Sequence, residues 1–449
     1  MSQMFIRMML IGALPLWCIA GLLGGLFRPC SIEKANRVDG RRARSASHHI
    51  RASLQPRTVN VTSLPGALPN DTSRFSPMWQ REGLVGFGAG TVYMLDLEIG
   101  TPKQEISLIL DTGSFTMLVD PDCTRAADTS ACEEYGYYNT SRSTTSQYLN
   151  AYFAAQFGTG YMEGAWYNDT IYIGQDNLPL QHSRIGVNSY STYLWAGILG
   201  VSYGMSWNTA YPTLLDLLVQ LGYIDVPIFS LGVGIQGDGS TGQSGEIIFG
   251  GVDRWKFRGY LEPIEIWPNP SDQKVLYQQV GYWINLTSFG FTQPGQPEVT
   301  LTSDDFARSM LIDSGSTFTY LDADLVSALA KVFNAWIDER GIYFVNCALR
   351  SDDGYVNFGF NMGNMVIQVS YADFIVDFET YCALGVQPAD IGVATWVLGN
   401  SFIRAAYIIF DQMNNAVWLA QYLPCASSGV SDLTSNAGKE LWLDFTGLC

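Results

Sequence analysis

The chain has 449 residues, of which only 15% are charged, while 13% are aromatic and 45 are glycine. This composition favours twisted strands and tight turns, and it argues against a coiled coil and against a disordered chain. The first 81 residues carry 11 basic and three acidic side chains, whereas the remainder carries 14 basic and 39 acidic ones. Such an acidic body repels nucleic acid and anionic membrane surfaces, so we expect neither as a partner.

Histidine is scarce in this chain. His48 and His49 lie in the basic leader, which leaves His182 alone in the acidic body. A histidine-based zinc site and a Ser-His-Asp or Cys-His system are therefore disfavoured. We expect no metal and no cofactor, and carboxylates are the natural candidates for any catalysis. His182 itself is interpreted as a surface or packing residue.

An apolar run over residues 8–27 follows Arg7 and precedes Arg28. We interpret residues 1–26 as a secretion signal, which predicts a secreted, extracellular protein. The alternative is an uncleaved anchor, because the run is about long enough to cross a bilayer. The protein would then be membrane-tethered or vacuolar.

Residues 27–85 form a basic, polar stretch without a clear hydrophobic period. We interpret this stretch as a pro-segment that neutralises the acidic body and inhibits it until release. Arg41, Arg42 and Arg44 form a candidate processing site within it. The alternative is a disordered linker.

The cysteines and sequons suit an oxidising, secretory compartment. Six cysteines are spaced so that they can close loops, although counting alone does not fix their connectivity. The candidate pairs are Cys123 with Cys132, Cys347 with Cys382, and Cys425 with Cys449. Glycosylation sequons occur at Asn60, Asn70, Asn139, Asn168 and Asn285.

The most informative feature of the body is an internal repeat. One apolar strand runs into the motif Asp111-Thr-Gly-Ser, and a second runs into Asp313-Ser-Gly-Ser. Each motif is followed by two apolar residues and a glycine, 89 residues later at Gly200 and 86 residues later at Gly399. The sequence therefore contains two copies of one unit, each with an aspartate where a strand enters a loop.

The chain between these motifs is rich in β-strand signals. Strands are predicted over residues 91–98 and 416–422, because both runs are rich in β-branched and aromatic side chains. A short apolar helix is predicted over residues 212–221, and a longer helix is predicted to begin at a cap on Asp322. The expected core face of the longer helix comprises Leu325, Leu329, Val332, Phe333 and Trp336.

If the repeat folds as two similar lobes about an approximate two-fold axis, Asp111 and Asp313 meet at that axis. Two carboxylates within hydrogen-bonding distance cannot both ionise cheaply, so they share one proton. One group can then take a proton from water while the other donates to a carbonyl oxygen, which hydrolyses an amide without a covalent intermediate. We therefore predict Asp111 and Asp313 as the catalytic residues. The residues expected to support this pair are Thr112, Gly113, Ser114, Ser314, Gly315 and Ser316.

Seven motifs in this order resemble those of the pepsin-like aspartic proteases, over roughly residues 90–425. They are Ile99-Gly-Thr-Pro-Lys-Gln104, Asp111-Thr-Gly-Ser114, Phe157-Gly-Thr-Gly160, Ile198-Leu-Gly200, Gly245-Glu-Ile-Ile-Phe-Gly-Gly251, Asp313-Ser-Gly-Ser316 and Trp396-Val-Leu-Gly399. The resemblance implies an all-β, bilobal pepsin-like fold, in which a pseudo-two-fold axis relates two β lobes that carry a few short helices. It also implies a cleft for an extended peptide, zymogen activation and no cofactor.

On this resemblance, residues 86–260 form an N-terminal lobe with the first aspartate, residues 261–425 form a C-terminal lobe with the second, and residues 426–449 form an extension beyond the usual end. The expected function is an endopeptidase that cleaves extended polypeptides at acidic pH, with apolar side chains preferred near the cut. We expect a monomer whose partners are its polypeptide substrate and its own inhibitory pro-segment.

The flap, a hairpin that covers the cleft in this family, is expected at Phe157, Gly158 and Thr159. A tyrosine usually stands at the position of Phe157, and it usually hydrogen-bonds a tryptophan at the position of Leu118. Both partners are replaced together here, so we expect an apolar contact between Phe157 and Leu118 instead. This change predicts altered specificity or a lower rate rather than inactivity.

Two other functions are compatible with paired carboxylates. A catalytically weak or inert binding or inhibitor protein can use the same fold, but it would be free to lose an aspartate, and this chain has both. A glycosidase needs its two carboxyl groups about 5 Å or more apart around a sugar. Aspartates that meet at an axis are too close for that reaction.

Overall fold

The computed structural model describes residues 49–58, 91–125, 129–157, 160–174, 176–192, 196–234, 245–266, 280–338, 341–378, 381–389, 396–437, 441 and 445–449. The chain divides into two compact units, Met1–Arg44 and Ser45–Cys449, and every described residue lies in the second. Several predictions fall outside the described residues. These are the signal at 1–26, the pro-segment at 27–85 apart from residues 49–58, Gly158, Thr159, Asn60 and Asn70.

Strands dominate the fold, as the composition predicts. The first half contains β1 (Ile50–Thr58), β2 (Thr91–Ile99), β3 (Gln104–Asp111), β4 (Met117–Val119), β5 (Gln147–Gln156), β6 (Tyr161–Ile173), β7 (Leu178–Thr192), β8 (Ile198–Gly200), β9 (Ile228–Gly232), β10 (Gly245–Phe249), β11 (Gly251–Asp253), β12 (Arg258–Tyr260) and β13 (Glu262–Glu265). The second half contains β14 (Trp283–Leu286), β15 (Ser288–Thr292), β16 (Val299–Thr300), β17 (Arg308–Ile312), β18 (Thr319–Leu321), β19 (Trp336–Ile337), β20 (Tyr343–Val345), β21 (Tyr355–Phe360), β22 (Met365–Ser370), β23 (Val376–Asp377), β24 (Cys382–Ala383), β25 (Val386–Pro388), β26 (Val397–Leu398), β27 (Ala406–Asp411), β28 (Ala416–Gln421), β29 (Val430–Asp432) and β30 (Thr446–Leu448).

The α-helices within the described part of the chain are short. They are α1 (Thr129–Tyr135), α2 (Leu214–Gln220), α3 (Ala323–Val332), α4 (Tyr371–Phe374) and α5 (Asn400–Ile403). The strands predicted over 91–98 and 416–422 are present as β2 and β28, and the helix predicted over 212–221 is present as α2.

Helix α3 begins directly after Asp322, but the predicted side-chain cap is absent. The Asp322 carboxylate instead accepts hydrogen bonds from Arg308 Nε at 3.0 Å and from Trp396 Nε1 at 3.1 Å. The prediction of a capping carboxylate was wrong, because these two tertiary partners hold the carboxylate away from the helix.

The predicted core face of α3 is correct only in part. Leu329 and Phe333 are buried, and Leu325 and Val332 are partly buried against the core. Trp336 is 53% exposed, because the helix ends at Val332 and the chain then enters the edge strand β19. The assignment of Trp336 to the core was wrong, since the helical period does not extend to it.

Two sheets position the site. The larger has 13 strands in the order β13-β28-β27-β9-β10-β1-β2-β3-β8-β4-β7-β6-β5, and a five-stranded sheet has the order β14-β17-β26-β18-β25. Strands β16-β15-β21-β22 and β19-β20-β24-β23 form two four-stranded sheets, and the pairs β11-β29 and β12-β30 form two smaller ones.

The internal repeat of the sequence is visible as a repeated strand arrangement. Strand β3 pairs in parallel with β8, which pairs antiparallel with β4. Strand β17 pairs in parallel with β26, which pairs antiparallel with β18. The all-β, bilobal fold that the resemblance implies is confirmed.

Buried apolar side chains from both halves hold this arrangement. Leu108, Leu110 and Leu199 are inaccessible to solvent beside the first motif, as are Ile312 and Leu398 beside the second. Each fully buried side chain of this size contributes about 1.5–3 kcal/mol relative to its exposed state. The two aspartate loops are therefore attached to rigid strands.

Three disulfides occur among the described residues. They join the cysteines that the sequence analysis paired as candidates: Cys123–Cys132, Cys347–Cys382 and Cys425–Cys449. In the described part of the chain, none of the helices has the length and apolar character needed to cross a bilayer.

Candidate active site

Asp111 and Asp313 lie where two equivalent strands end. Asp111 is the last residue of β3, and Asp313 directly follows β17. A parallel neighbour fixes each strand end, because Asp111 pairs with Gly200 of β8 and Ile312 pairs with Leu398 of β26. A Cβ on Gly113 would lie 2.9 Å from Asp313 Oδ1 and 3.2 Å from Asp111 Oδ1, so both carboxyl groups face the same small space. The structure thus brings the two predicted aspartates close together.

The second residue of each motif binds the opposite strand. Thr112 Oγ1 donates to the Ile312 carbonyl at 2.8 Å, and Ser314 Oγ donates to the Leu110 carbonyl at 2.7 Å. The same two hydroxyl oxygens also accept, from the Ser314 N–H at 2.9 Å and from the Thr112 N–H at 3.1 Å. Both side chains are fully buried. These four bonds fix the distance and orientation between the two aspartate loops.

The third and fourth residues of each motif hold the carboxylate. The Gly113 N–H donates to Asp111 Oδ1 at 2.8 Å, and Ser114 Oγ donates to Asp111 Oδ2 at 2.5 Å. The second loop repeats both bonds to Asp313, at 2.8 Å from its glycine and 2.6 Å from its serine. The residues that hold the two carboxylates are Gly113, Ser114, Gly315 and Ser316.

Glycine is required in both loops because the opposite carboxyl group lies against it. A Cβ on Gly113 would lie 2.8 Å from Asp313 Cγ, and a Cβ on Gly315 would lie 2.9 Å from Asp111 Oδ1. Any side chain here would force the two loops apart.

The pair lies where a second negative charge is costly. Asp111 is only 6% exposed. Burial raises the pKa of Asp111 well above its ordinary value, and the Asp313 carboxylate raises it further, while the hydrogen bond from Ser114 partly offsets both effects. Two carboxyl groups this close disfavour double ionisation, so one of them can carry a proton while the other is ionised. Such a pair offers a proton donor and a proton acceptor at the same place.

Two residues beside the pair were not anticipated from the sequence. Asn400 is fully buried, and its Nδ2 donates to the Ser314 carbonyl at 3.0 Å. Burial and, to a smaller extent, the charge of Asp313 raise the pKa of Tyr320 to about 12. Tyr320 follows Asp313 by seven residues, as Leu118 follows Asp111. Aligning the two halves of the repeat beyond the motif itself would have indicated Tyr320.

Phe157 follows β5 at the tip of the β5–β6 hairpin, where its N–H donates to the Gly160 carbonyl at 2.7 Å. Its ring is partly buried against a cluster that contains Leu118, Met162 and Ile198. Phe157 and Leu118 therefore belong to one apolar cluster, and no hydroxyl is needed to join them.

Phe153 and Trp166 complete this cluster and were missed in the sequence analysis. Their ring centroids are 5.0 Å apart, and the Trp166 ring meets Tyr211 edge-on at 5.7 Å. A Cβ on Gly186 would lie 2.5 Å from Leu118 Cδ2 and 2.9 Å from Phe153 Cε1. The Phe153 ring thus fills space beside Leu118, and aromatic packing supports the hairpin just behind its tip.

The other residues that the sequence singled out are not adjacent to Asp111 or Asp313 along the chain. His182 is exposed on β7, in keeping with its interpretation as a surface residue. The described sequon residues Asn139, Asn168 and Asn285 are half-buried.

One group of potential metal ligands occurs in the described residues. Ligand atoms of Cys347, Asp377 and Cys382 lie within 4.8 Å of one another. Both sulfurs are joined in a disulfide, so this group offers no thiolate to a metal.

Comparisons with known proteins agree with this geometry. The family described as eukaryotic aspartyl protease matches residues 92–422. A probable aspartic-type endopeptidase opsB of Aspergillus fumigatus is 29% identical over 352 residues, which cover 74% of this chain and 69% of that protein. Candidapepsin-3 of Candida albicans is 30% identical over 361 residues, with coverages of 76% and 82%. Gastricsin of Rattus norvegicus is 29% identical over 337 residues, with coverages of 73% and 80%. The chain belongs to the eukaryotic aspartyl protease family and is an aspartic-type endopeptidase.

Proposed function

We propose that the protein hydrolyses peptide bonds at acidic pH with a water molecule that Asp111 and Asp313 activate. The observation that carries this proposal is the close approach of the two carboxyl groups, at the point where two equivalent strands end. Two carboxyl groups in contact share a proton, so one can act as a base while the other acts as an acid.

The proposed reaction needs only this pair and water. The ionised carboxyl group accepts a proton as the water oxygen attacks the carbonyl carbon, and the protonated group donates its proton to the carbonyl oxygen. The resulting tetrahedral diol then collapses. The carboxyl group that accepted the water proton transfers it to the departing nitrogen, and the other recovers its proton from a diol hydroxyl. Amine and acid leave, and the pair again holds one proton.

The surrounding hydrogen bonds support catalysis by preorganisation. The Thr112 and Ser314 cross-bonds hold the two loops in register, so the carboxyl groups need no rearrangement when the substrate binds. Ser114 and Ser316 bind the Oδ2 oxygens, while the Oδ1 oxygens receive the glycine N–H groups.

The proposed substrate is an extended polypeptide with apolar side chains near the cut. Phe157 supports this preference, because its partly buried ring lies on the hairpin expected to cover the cleft and packs on an apolar cluster. An extended segment binds such a cleft through backbone hydrogen bonds, while apolar walls select its side chains.

We also propose that the protein acts outside the cell as a monomer after a leader is removed. The three disulfides suit an oxidising compartment. One relative is named secreted aspartic protease 3 of Candida albicans. The basic leader and the acidic body carry opposite charges that favour an inhibitory contact before processing.

The test is incubation of the processed protein with a diverse peptide mixture between pH 3 and pH 8, with cut sites identified by mass spectrometry. We expect cleavage that is strongest at acidic pH and is lost in Asp111→Asn and in Asp313→Asn. The exposed Asp304→Asn is the matched control and should retain wild-type activity. Cleavage retained in either dyad variant, or activity that rises steadily from pH 4 to pH 8, would refute the proposal.

A further inference from the structure

Strand β1 and the C-terminal extension, residues 426–449, come together far from the paired aspartates in the sequence. Strand β1 lies inside the large sheet between β10 and β2. Its residues Ile50 to Leu54 pair with β10, and Leu54 to Thr58 pair with β2. Removing β1 would expose the edges of both neighbours, so the body of the sheet depends on it.

One guanidinium joins β1 to the extension. Arg51 of β1 donates to Asp253 Oδ2 at 2.9 Å and to Ser428 Oγ at 2.7 Å, and it also pairs with Glu246. Glu246 and Asp253 belong to β10 and β11, and Ser428 belongs to the extension. Arg51 thus connects three segments that are remote in sequence.

Asp253 is the buried acceptor at the contact between β1 and the extension. Its side chain is fully buried, and it accepts hydrogen bonds from Ser428 Oγ at 2.7 Å and from the Gly429 N–H at 3.0 Å. Burial opposes its charge, but these bonds, a bond from the Trp255 N–H and the Arg51 charge together lower the pKa of Asp253. A buried charge of this kind requires its partners, so the loss of Arg51 would leave it undercompensated.

A second contact lies at the start of β1. His49 pairs with Asp432, which lies on β29 opposite Gly251 of β11. A Cβ on Gly251 would lie 2.9 Å from both His49 Cβ and Val430 Cγ1. The start of β1, the strand β11 and the extension are therefore in direct contact.

The extension is itself a well-anchored element. Its strands pair with β11 and β12, and its ends are tied by the Cys425–Cys449 disulfide. Arg254, Lys256 and Arg258 donate to carbonyl oxygens of Thr446, Cys425 and Cys449 at 3.0–3.1 Å. Its side chains also form an apolar cluster with the body, contributed by Leu433, Ala437, Leu441 and Phe445.

We propose that the extension, together with Asp253 of β11, forms a binding site for the start of β1, which it holds through His49 and Arg51. This site retains β1 as a permanent part of the enzyme, even when the chain is cut on either side of it. The segment that leaves during maturation therefore ends ahead of His49, rather than at residue 85. The inference concerns binding of β1 and rests on the proposed function only where activity is used as a readout.

The test uses the full chain with a recognition site for a sequence-specific protease inserted after Asn70. The folded protein is cut at pH 7 and passed through a size-exclusion column, and the main peak is analysed by mass spectrometry. We expect the fragment that contains β1 to remain with the body. Arg51→Ala and the double variant Ser428→Ala, Asp432→Asn should each speed its release at least about ten-fold, because charge-assisted hydrogen bonds are lost. Lys103→Ala, which removes an ion pair with Glu98 outside this site, is the control.

Retention of the β1 fragment can be measured independently of proteolysis. The measurement is repeated in Asp313→Asn, where retention of the fragment should be unchanged although proteolysis is lost. Prompt release of the fragment from the cut protein that carries no substitution, or equal release rates from all variants, would overturn the inference. A mature protein whose amino terminus lies after Thr58 would also overturn it.

Discussion

Thr112 and Ser314 each donate a hydrogen bond to the strand that carries the other's aspartate, and each accepts one from the other's backbone. The two aspartate loops are therefore joined through four buried bonds that the pseudo-two-fold repeat makes in equivalent pairs. We therefore expect these hydroxyl groups to help set the geometry of the carboxyl pair.

Replacing Thr112 with valine tests this dependence. The change keeps the shape of the side chain but leaves the Ile312 carbonyl and the Ser314 N–H without partners, at about 1–3 kcal/mol for each buried group. We expect a lower free energy of unfolding in denaturant and a kcat at least ten-fold lower. Thr112→Ser keeps the hydroxyl and should retain most of both quantities. Equal behaviour of the valine and serine variants would show that the cross-bonds do not position the pair.

Gly315→Ala tests the close approach of the carboxyl groups. A methyl group at this position would lie 2.9 Å from Asp111 Oδ1, so the loops must move apart. We expect kcat to fall at least 100-fold with a protein that still folds, as measured by peptide hydrolysis beside circular dichroism. The control for the added methyl group is Gly295→Ala, which lies at an exposed turn with open space around it. The positive φ of Gly295 adds a backbone cost to this control. Full activity in Gly315→Ala would contradict the contact between the aspartates.

Leu118 and Phe153 pack side by side next to Gly186. Phe153 fills part of the room that a larger residue at position 118 would need, so Leu118→Trp alone should overpack the cluster and destabilise the protein by about 1–3 kcal/mol. Adding Phe153→Ala should recover part of that loss, with a coupling energy of about 1 kcal/mol in a double-mutant cycle of unfolding. Additive effects would mean that the two side chains do not share this space. Adding Phe157→Tyr to Leu118→Trp then asks whether a hydroxyl–indole pair can replace the apolar contact.

The stability of the protein should depend on pH through Asp111. Burial and the Asp313 charge raise the pKa of Asp111, so the folded chain binds this proton more tightly than the unfolded chain. The resulting stabilisation is complete below the unfolded pKa of about 3.9 and is lost as pH rises through the raised folded pKa. Asp111→Asn imitates the protonated form, so it should melt at a higher temperature than the wild type at pH 7.

The two melting temperatures should converge below about pH 4, where the wild type is protonated in both states. Thermal unfolding followed by circular dichroism at pH 3, 5 and 7 measures the difference. A wild type that melts above Asp111→Asn at pH 7 would contradict the sign of this effect.

The local sequence predicted that Asp111 and Asp313 form a pair because its signal is repeated. The motifs at Asp111 and Asp313 each follow an apolar strand and each precede an apolar pair and a glycine, and the parallel pairing of those strands brings the motifs together. Strands β2 and β28 were also predictable, since their β-branched and aromatic content is local information.

Tertiary contacts explain what the sequence did not predict. Asp322 lies at a helix start, but Arg308 and Trp396 compete for its carboxylate, and no local pattern reveals such partners. Phe153 and Trp166 lie in alternating strands whose pattern does not indicate which ring faces Leu118. The same holds for Arg51, whose partners in β10, β11 and the extension are about 200 residues or more away.

A carbon-13 NMR titration of the aspartate carboxyl groups measures whether Asp111 and Asp313 hold one proton between them. We expect the pair to retain a proton at a pH where an isolated aspartate, with a pKa of about 3.9, is ionised, and we expect Asp313→Asn to alter this titration. Two aspartates that both ionise independently near pH 4 would leave no acid in the site and would rule out the proposed reaction.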